Sequence, residues 1–483
     1  MPNTILALDP KKVWNHFYNL TQIPRPSGHE KRVIEHIRQF AEQLGLENKI
    51  DAVGNLIVRK NAYKEKENAK SVVLQAHVDM VPQKNSDKVH DFLTDPIEAL
   101  IDGEWVKANQ TTLGADNGIG IAAILAVLES GDIQHGPLEA LFTISEETGM
   151  DGAFGLDSND LKSEILLNLD SEDEGELYIG CAGGIDMNAK WNYIPESFSG
   201  GVYYKISLSG LKGGHSGIDI NLGRANANKV MVKFLDDLSE LIRYQMVYFS
   251  GGNLRNAIPR ESEAVLCISN DDAGKFMDFV KKAQTDLEKK YQGIEEGISL
   301  QIEAVNSDEP CMKISDQRKF IDLLLNCPDG VLAMSESIPG VVQTSNNLAI
   351  VKAEKGIIEV KTLLRSSDDN EKKETGEKIK KRFTDEGFEA ELCNAYPGWL
   401  PDRNSAILKF AGNTYKKEFG IEPKVKVIHA GLECGIIGSK IPGLDMISFG
   451  PTIRHPHSPD ERVNIETVNK FWVFLKSLLE AIQ

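Results

Sequence analysis

Three apolar runs of strand length lie in the first part of the chain: SVVLQAHVD (71–79), LEALFTISEE (138–147) and EILLNLDSE (164–172). Runs without regular polar alternation suit strands covered on both faces, as in a largely parallel sheet. Between the first two lies ADNGIGIAAILAVLESGD (115–132), apolar almost all round from Ile119 to Leu128. That pattern predicts a buried helix, with Asp116 or Asn117 as its N-cap. A further apolar run, GLDMISFGP (443–451), comes only near the C-terminus. From about 186 to 396 the pattern changes. Stretches such as GVYYKISLSG and GIIEVKTLLRSS sit between long charged segments, DDAGKFMDFVKKAQTDLEKKYQG and DDNEKKETGEKIKKRFTDEGF, which read as helices with one exposed face. The strand and helix order occurs twice there. The expected fold is α/β: a mostly parallel-sheet domain (1–185 and 397–483) interrupted by an α+β domain (186–396), the latter built from two related halves.

The ends of the apolar runs bring in the chemistry. The first ends in His77 and Asp79, which as residues i and i+2 of a strand share one face. The second runs into Glu146 and Glu147, and the third into Asp170; Asp116 stands at the helix entry. The C-terminal run leads to GPTIRHPHSPDER, with His455 and His457. Any one of these groups is an ordinary surface acid or cap. In an open α/β sheet, however, ligands bind beyond the carboxyl ends of the strands, where all of them would meet. Carboxylates packed so closely resist ionising unless a cation lies among them. Two divalent ions satisfy that demand, and mixed imidazole and carboxylate donors suit zinc, with cobalt or manganese as alternatives. The Glu146–Glu147 doublet allows one carboxylate to bind metal while its neighbour stays free as a base.

Charge and cysteines narrow the partners. A net charge of −18 argues against nucleic acid or an anionic membrane surface. The opening MPNTILALDPKKVWNHF has no basic stretch followed by a long apolar one, so no signal peptide is expected. Six cysteines without a CxxC pair fit a reducing cytoplasm and exclude a thiolate zinc site.

The segments HVDMVP, LGADNGIG, SEETGMDGA, LNLDSED and RHPHSPDER together resemble the five ordered motifs of the co-catalytic di-zinc peptidases, a family that includes carboxypeptidase G, carnosinases and bacterial dipeptidases. GGHSGIDI, GGNLRNAIPRE and HAGLECG match its dipeptidase members beyond the common core, and the resemblance runs from end to end. It implies that Asp116 bridges two metals, with His77 and Asp170 on one and Glu147 and His457 on the other. It implies that Asp79 orients His77 and that Glu146 is the general base. His455 matches no ligand position, and His16, His29, His36, His90 and His135 are left as surface or packing residues. The middle domain resembles the family's lid, where His215 would stabilise the oxyanion and Asn256, Arg365 and Gly431 would bind substrate. The activity implied is hydrolysis of unblocked dipeptides, including Xaa-His, by metal-activated water, in a cytoplasmic monomer or homodimer.

Two rival readings stay open on the residues alone. One is an amidohydrolase or carboxypeptidase acting on N-acyl amino acids. The other is a metal- or peptide-binding protein without activity, which Glu146 argues against. A free α-amino group on the substrate needs an acidic or carbonyl partner, for which Glu433 is the candidate.

Overall fold

The computed structural model describes residues 4–197 and 201–483. The chain forms two compact units: Met1–Cys181 with Trp399–Val427 and Leu432–Gln483, and Ala182–Gly398 with Ile428–Gly431.

The first unit is built on an eight-stranded sheet in the spatial order Glu47–Ile50, Leu56–Lys60, Leu138–Thr143, Val72–His77, Ile165–Asn168, Asp445–Ser448, Glu176–Cys181, Lys424–Ile428. The four central strands, from Leu138–Thr143 to Asp445–Ser448, are parallel to their neighbours in that group. On either side the pairing turns antiparallel. Every residue of Val72–His77, Leu138–Thr143 and Ile165–Asn168 is buried. Burial on both faces explains why those runs carry no polar alternation. Because the four strands run the same way, their carboxyl ends open at one edge of the sheet.

The helix Ala115–Glu129 is buried from Asn117 to Leu128 and packs against the helix Lys11–Thr21 and the strand Val72–His77. Its start lies at Asp116 and Asn117, without a cap bond from either side chain. A kink at these two residues, whose backbone angles are non-helical, separates the turn at Gly114 (φ +70°) from the regular helix that follows. Their side chains are engaged elsewhere, as the site shows, and the first amides of the turn are received by a distant carboxylate. A separate four-stranded sheet, in the order Ile453–Arg454, Arg462–Asn464, Trp105–Ala108, Ala99–Asp102, closes the hairpin whose loop carries His455 and His457.

The second unit contains one nine-stranded sheet and four long helices, Ala227–Ser239, Ala273–Lys290, Ile314–Asn326 and Asp369–Asp385. Apart from the two-residue strands Gly214–His215 and Ala257–Ile258 and a 3-10 turn, residues 201–305 run strand, helix, strand, strand, helix, strand. The strand Gly183–Asn192, followed after that insertion by the helix Ile314–Asn326 and residues 342–396, repeats the same order, with Gly330–Met334 as an extra strand. The two sets meet where Tyr244–Gly251 pairs antiparallel with Val342–Glu354. Among the described residues, no helix is long and apolar enough to cross a membrane.

Candidate metal centre

At the carboxyl edge of the parallel strands, Asp116 turns its two oxygens toward different imidazoles. Oδ1 is 3.0 Å from His77 Nε2, and Oδ2 is 3.2 Å from His457 Nε2. His77 Nε2 is also 3.3 Å from Asp170 Oδ1, and His457 Nε2 is 2.9 Å from Glu147 Oε2. Two donor sets, His77–Asp116–Asp170 and Asp116–Glu147–His457, therefore share Asp116, each with its ligand atoms within 4.8 Å of one another. A third set, His77–Glu146–Glu147, meets the same criterion. Asn117 donates from its side-chain amide to Asp170. His455 is exposed and belongs to none of these sets.

Asp79 holds the arrangement from behind. It is wholly buried, with Oδ1 3.3 Å from His77 Nδ1. Its two oxygens also accept the backbone N–H groups of Glu146 (3.1 Å) and Glu147 (3.2 Å), and Ser27 Oγ donates to it at 2.7 Å. These bonds outweigh the cost of burial and keep its carboxyl at about 2. The turn before Glu146 is held open by Ser145 in the left-handed region, φ 55°, a conformation that non-glycine residues adopt at a cost. Glu30 Oε1 accepts both the N–H (3.3 Å) and the hydroxyl (3.2 Å) of Ser145.

The donor set fits divalent cations. Burial pushes the carboxyl of Glu146 well above its ordinary range, and burial also raises Glu147 and Asp170. Glu147 Oε1 is buried without a hydrogen-bond partner. Despite burial, Asp170 and Asp116 push the pKa of His77 up, and Asp116 and Glu147 push that of His457 up to about 11. The cluster thus draws positive charge to where a cation would lie, and all the donors are nitrogen or oxygen.

The second unit gathers the remaining residues of interest. His215 pairs with Ala257 in a short antiparallel ladder, and Ser216 N–H donates to Asn256 O at 2.8 Å. Arg365, 4 % exposed, donates to Tyr396 Oη at 2.8 Å, and its Nη2 lies 3.4 Å from His215 Nε2. Opposite Arg365 in the sheet, Ser345 bonds His429 Nε2 at 2.7 Å, two residues before Gly431. Gly217 must lack a side chain, since a Cβ there would come within 1.9 Å of His429 O.

Backbone amides set the tautomer of His215. Gly217 and Ile218 both donate to Nδ1, at 3.2 and 3.0 Å, so the neutral ring carries its proton on Nε2. Burial, and then the Arg365 guanidinium, push its pKa down to about 4. His215 is thus a neutral ring with Nε2–H, 3.4 Å from the Arg365 guanidinium. An NMR titration is expected to place His215 near 4, and Arg365→Gln should raise that value while burial keeps it below 6.5. An unchanged value in Arg365→Gln would remove the guanidinium as a cause.

Several residues escaped the sequence reading. His429 lies in HAGLECG, and burial followed by the Arg365 charge lowers its pKa to about 3. Glu433, the candidate partner for a substrate amine, lies beneath the donor cluster, with Oε1 unpartnered. It is fully buried, accepts from Gln75 Nε2 (2.6 Å) and Thr143 Oγ1 (2.7 Å), and is raised by burial to about 7. Arg25 and Glu461 clamp the turn at Asp116, and side-chain bonds to a distant backbone leave no spacing pattern to read.

The profile of peptidase family M20/M25/M40 matches residues 73–481. The cytosol non-specific dipeptidase of Escherichia coli (strain K12) is 45% identical over 476 residues, 98% of either chain. The crystal structure of aminoacylhistidine dipeptidase from Vibrio alginolyticus superposes with a TM-score of 0.93 at 44% identity, covering 100% of this chain and 99% of that one. The aminopeptidase PepT structure from Bacillus cereus, at 15% identity and a TM-score of 0.58 over 98% and 99% of the two chains, shares the fold. With a profile spanning most of its length and a relative similar from end to end, the chain belongs to peptidase family M20/M25/M40.

Proposed function

We propose that this protein is a two-metal dipeptidase that cleaves unblocked dipeptides, Xaa-His among them. The observation that carries the reading is Asp116, whose two oxygens address two imidazoles in two separate donor sets. The full-length similarity to a protein named as a dipeptidase supports the substrate class. His77 and Asp170 would hold one ion, Glu147 and His457 the other, with Asp116 supplying a donor to each. Zinc fits the donors best, with cobalt or manganese as substitutes. When bound, the ions lower the pKa of water and polarise the scissile carbonyl.

The protein's own residues do the rest. Asp79 fixes the ring of His77 and, through the amides of Glu146 and Glu147, the position of both glutamates. Glu146 takes the proton of the attacking water and returns it to the leaving amine. The second unit acts as a lid. His215 donates its Nε2–H to the developing oxyanion, and Asn256, Arg365 and Gly431 bind the substrate, with Arg365 as a fork for its carboxylate. The six cysteines, with no CxxC pair, and the net charge of −18 support a cytoplasmic protein, monomer or homodimer, whose partners are small peptides rather than nucleic acid or membrane.

Charge pairing at both substrate ends makes the site a ruler. A tripeptide carries its carboxylate about 3.3 to 3.6 Å too far along. An N-acetyl group removes the ammonium and leaves its partner unpaired, at a cost of about 1 to 3 kcal/mol. Free dipeptides should therefore be cleaved well, and tripeptides and N-acetyl amino acids poorly. Arg365→Lys should impair dipeptide cleavage with the metal content unchanged, since a point charge cannot replace the fork. A hydrolysis panel tests this. Rapid cleavage of N-acetyl amino acids with slow dipeptides would replace the dipeptidase by an amidohydrolase, and no turnover of any substrate would leave a binding protein.

A further inference from the structure

The turn that carries Asp116 is gripped by two buried side chains of opposite charge. Glu461 is 2 % exposed. Its Oε2 accepts the backbone N–H groups of Leu113 (2.7 Å) and Gly114 (2.9 Å), and its Oε1 those of Ala115 (2.7 Å) and Asp116 (3.2 Å). Four consecutive amides thus converge on one carboxylate, and the last belongs to Asp116. Arg25, also 2 % exposed, holds the other side of the turn. It donates to Gly114 O, and to Val78 O and Asp79 O at 2.9 Å each. One guanidinium therefore ties the segment after His77 to the turn before Asp116. Gly114 makes the grip possible: it sits at φ +70°, and a Cβ there would meet Arg25 Nη2 at 2.7 Å. Glu461 comes from the same hairpin loop as His457, between Ile453–Arg454 and Arg462–Asn464.

A buried carboxylate is costly unless its lone pairs are filled, and here each oxygen receives two N–H groups. A serine or threonine would cap such a turn with fewer bonds. The carboxylate instead fixes every amide of the turn, so the Cα–Cβ direction of Asp116 is set by backbone bonds that need no metal. We propose that Glu461, working against Arg25, is a positioning residue that holds Asp116 in its ligand geometry before any ion arrives. One loop then supplies both a metal ligand and the clamp for the shared ligand.

This inference rests on the two-metal reading, and it is tested in two ways that separate their failures. In metal-free wild-type protein, amide exchange of the segment 113–116 should be slow and should stay equally slow when zinc is added. Fast exchange that becomes slow only with zinc would mean that the metal orders the turn, and would overturn the proposal.

The second test is Glu461→Gln, in which an amide group faces N–H donors and at least two of the four lose their acceptor. Its zinc affinity by calorimetry should fall about 10- to 100-fold, as for other residues that support metal ligands. The visible spectrum of its cobalt form should change, because the shared ligand is reoriented, and Glu461→Asp should lie between the two. A purely structural role would lower the melting temperature of the metal-free protein and leave the affinity and the cobalt spectrum of the folded protein unchanged. That result would overturn the proposal with the two-metal reading intact. If wild-type protein bound no metal, the reading itself would fall. If Glu461→Gln does not fold, the exchange measurement on wild-type protein decides.

Discussion

Asp116→Ala is expected to strip both ions from the protein and with them all measurable turnover. One carboxylate oxygen lies 3.0 Å from His77 Nε2 and the other 3.2 Å from His457 Nε2, so the substitution removes a donor from each set at once. Residues that only support a ligand are worth about 10- to 100-fold in metal affinity. Losing the shared ligand should therefore weaken each site by more than ~100-fold. The defect is in binding, so added zinc should restore activity incompletely at best. The fold should survive, because the amides of the turn are held by Glu461 through the backbone, which alanine retains. Metal analysis after dialysis is the measurement. A variant that kept both ions would remove Asp116 from the centre of the account.

Glu146→Gln is expected to do the opposite, keeping both ions while turnover falls by about 10² to 10⁴, the range for loss of a general base. Glutamine preserves the shape, and the backbone N–H of Glu146 still reaches Asp79 Oδ1. Only the ability to accept a proton is lost. The structure makes this comparison informative, because an oxygen of Glu146 also lies close enough to His77 and Glu147 to serve as a ligand. If Glu146→Gln lost an ion while Glu147→Gln kept both, the roles of the two glutamates would be exchanged.

The apolar runs in the sequence located the central strands, because burial on both faces removes polar alternation, and that signal survives in one dimension. The polar residues at their ends were legible for the same reason: in parallel strands covered by helices, the carboxyl edge is where charge can stand. The ordered motifs pointed to the peptidase family, which the profile match over residues 73–481 bears out. The antiparallel flanks of the sheet were not visible, since short strands such as Glu47–Ile50 are largely exposed and carry little apolar signal. The helix start was legible at Asp116 and Asn117, but the capping bond was not formed. Asp and Asn before an apolar helix ordinarily cap it, but here both side chains face the donor cluster and Glu461 receives the amides from 345 to 348 residues away. Glu433 was offered to the substrate amine from its motif alone. Its burial against Gln75 and Thr143 is a tertiary fact that no spacing encodes. His429 went unnoticed because its partner, Ser345, lies 84 residues upstream in another strand.

The most direct test of a two-metal dipeptidase is to chelate the protein, add zinc in measured equivalents, and follow hydrolysis of an Xaa-His dipeptide alongside bound metal. The account predicts no turnover without metal and a rise that completes only as the second equivalent binds, since the two donor sets share Asp116 and the chemistry needs both. Full activity in the chelated protein, or a plateau after one equivalent, would contradict it.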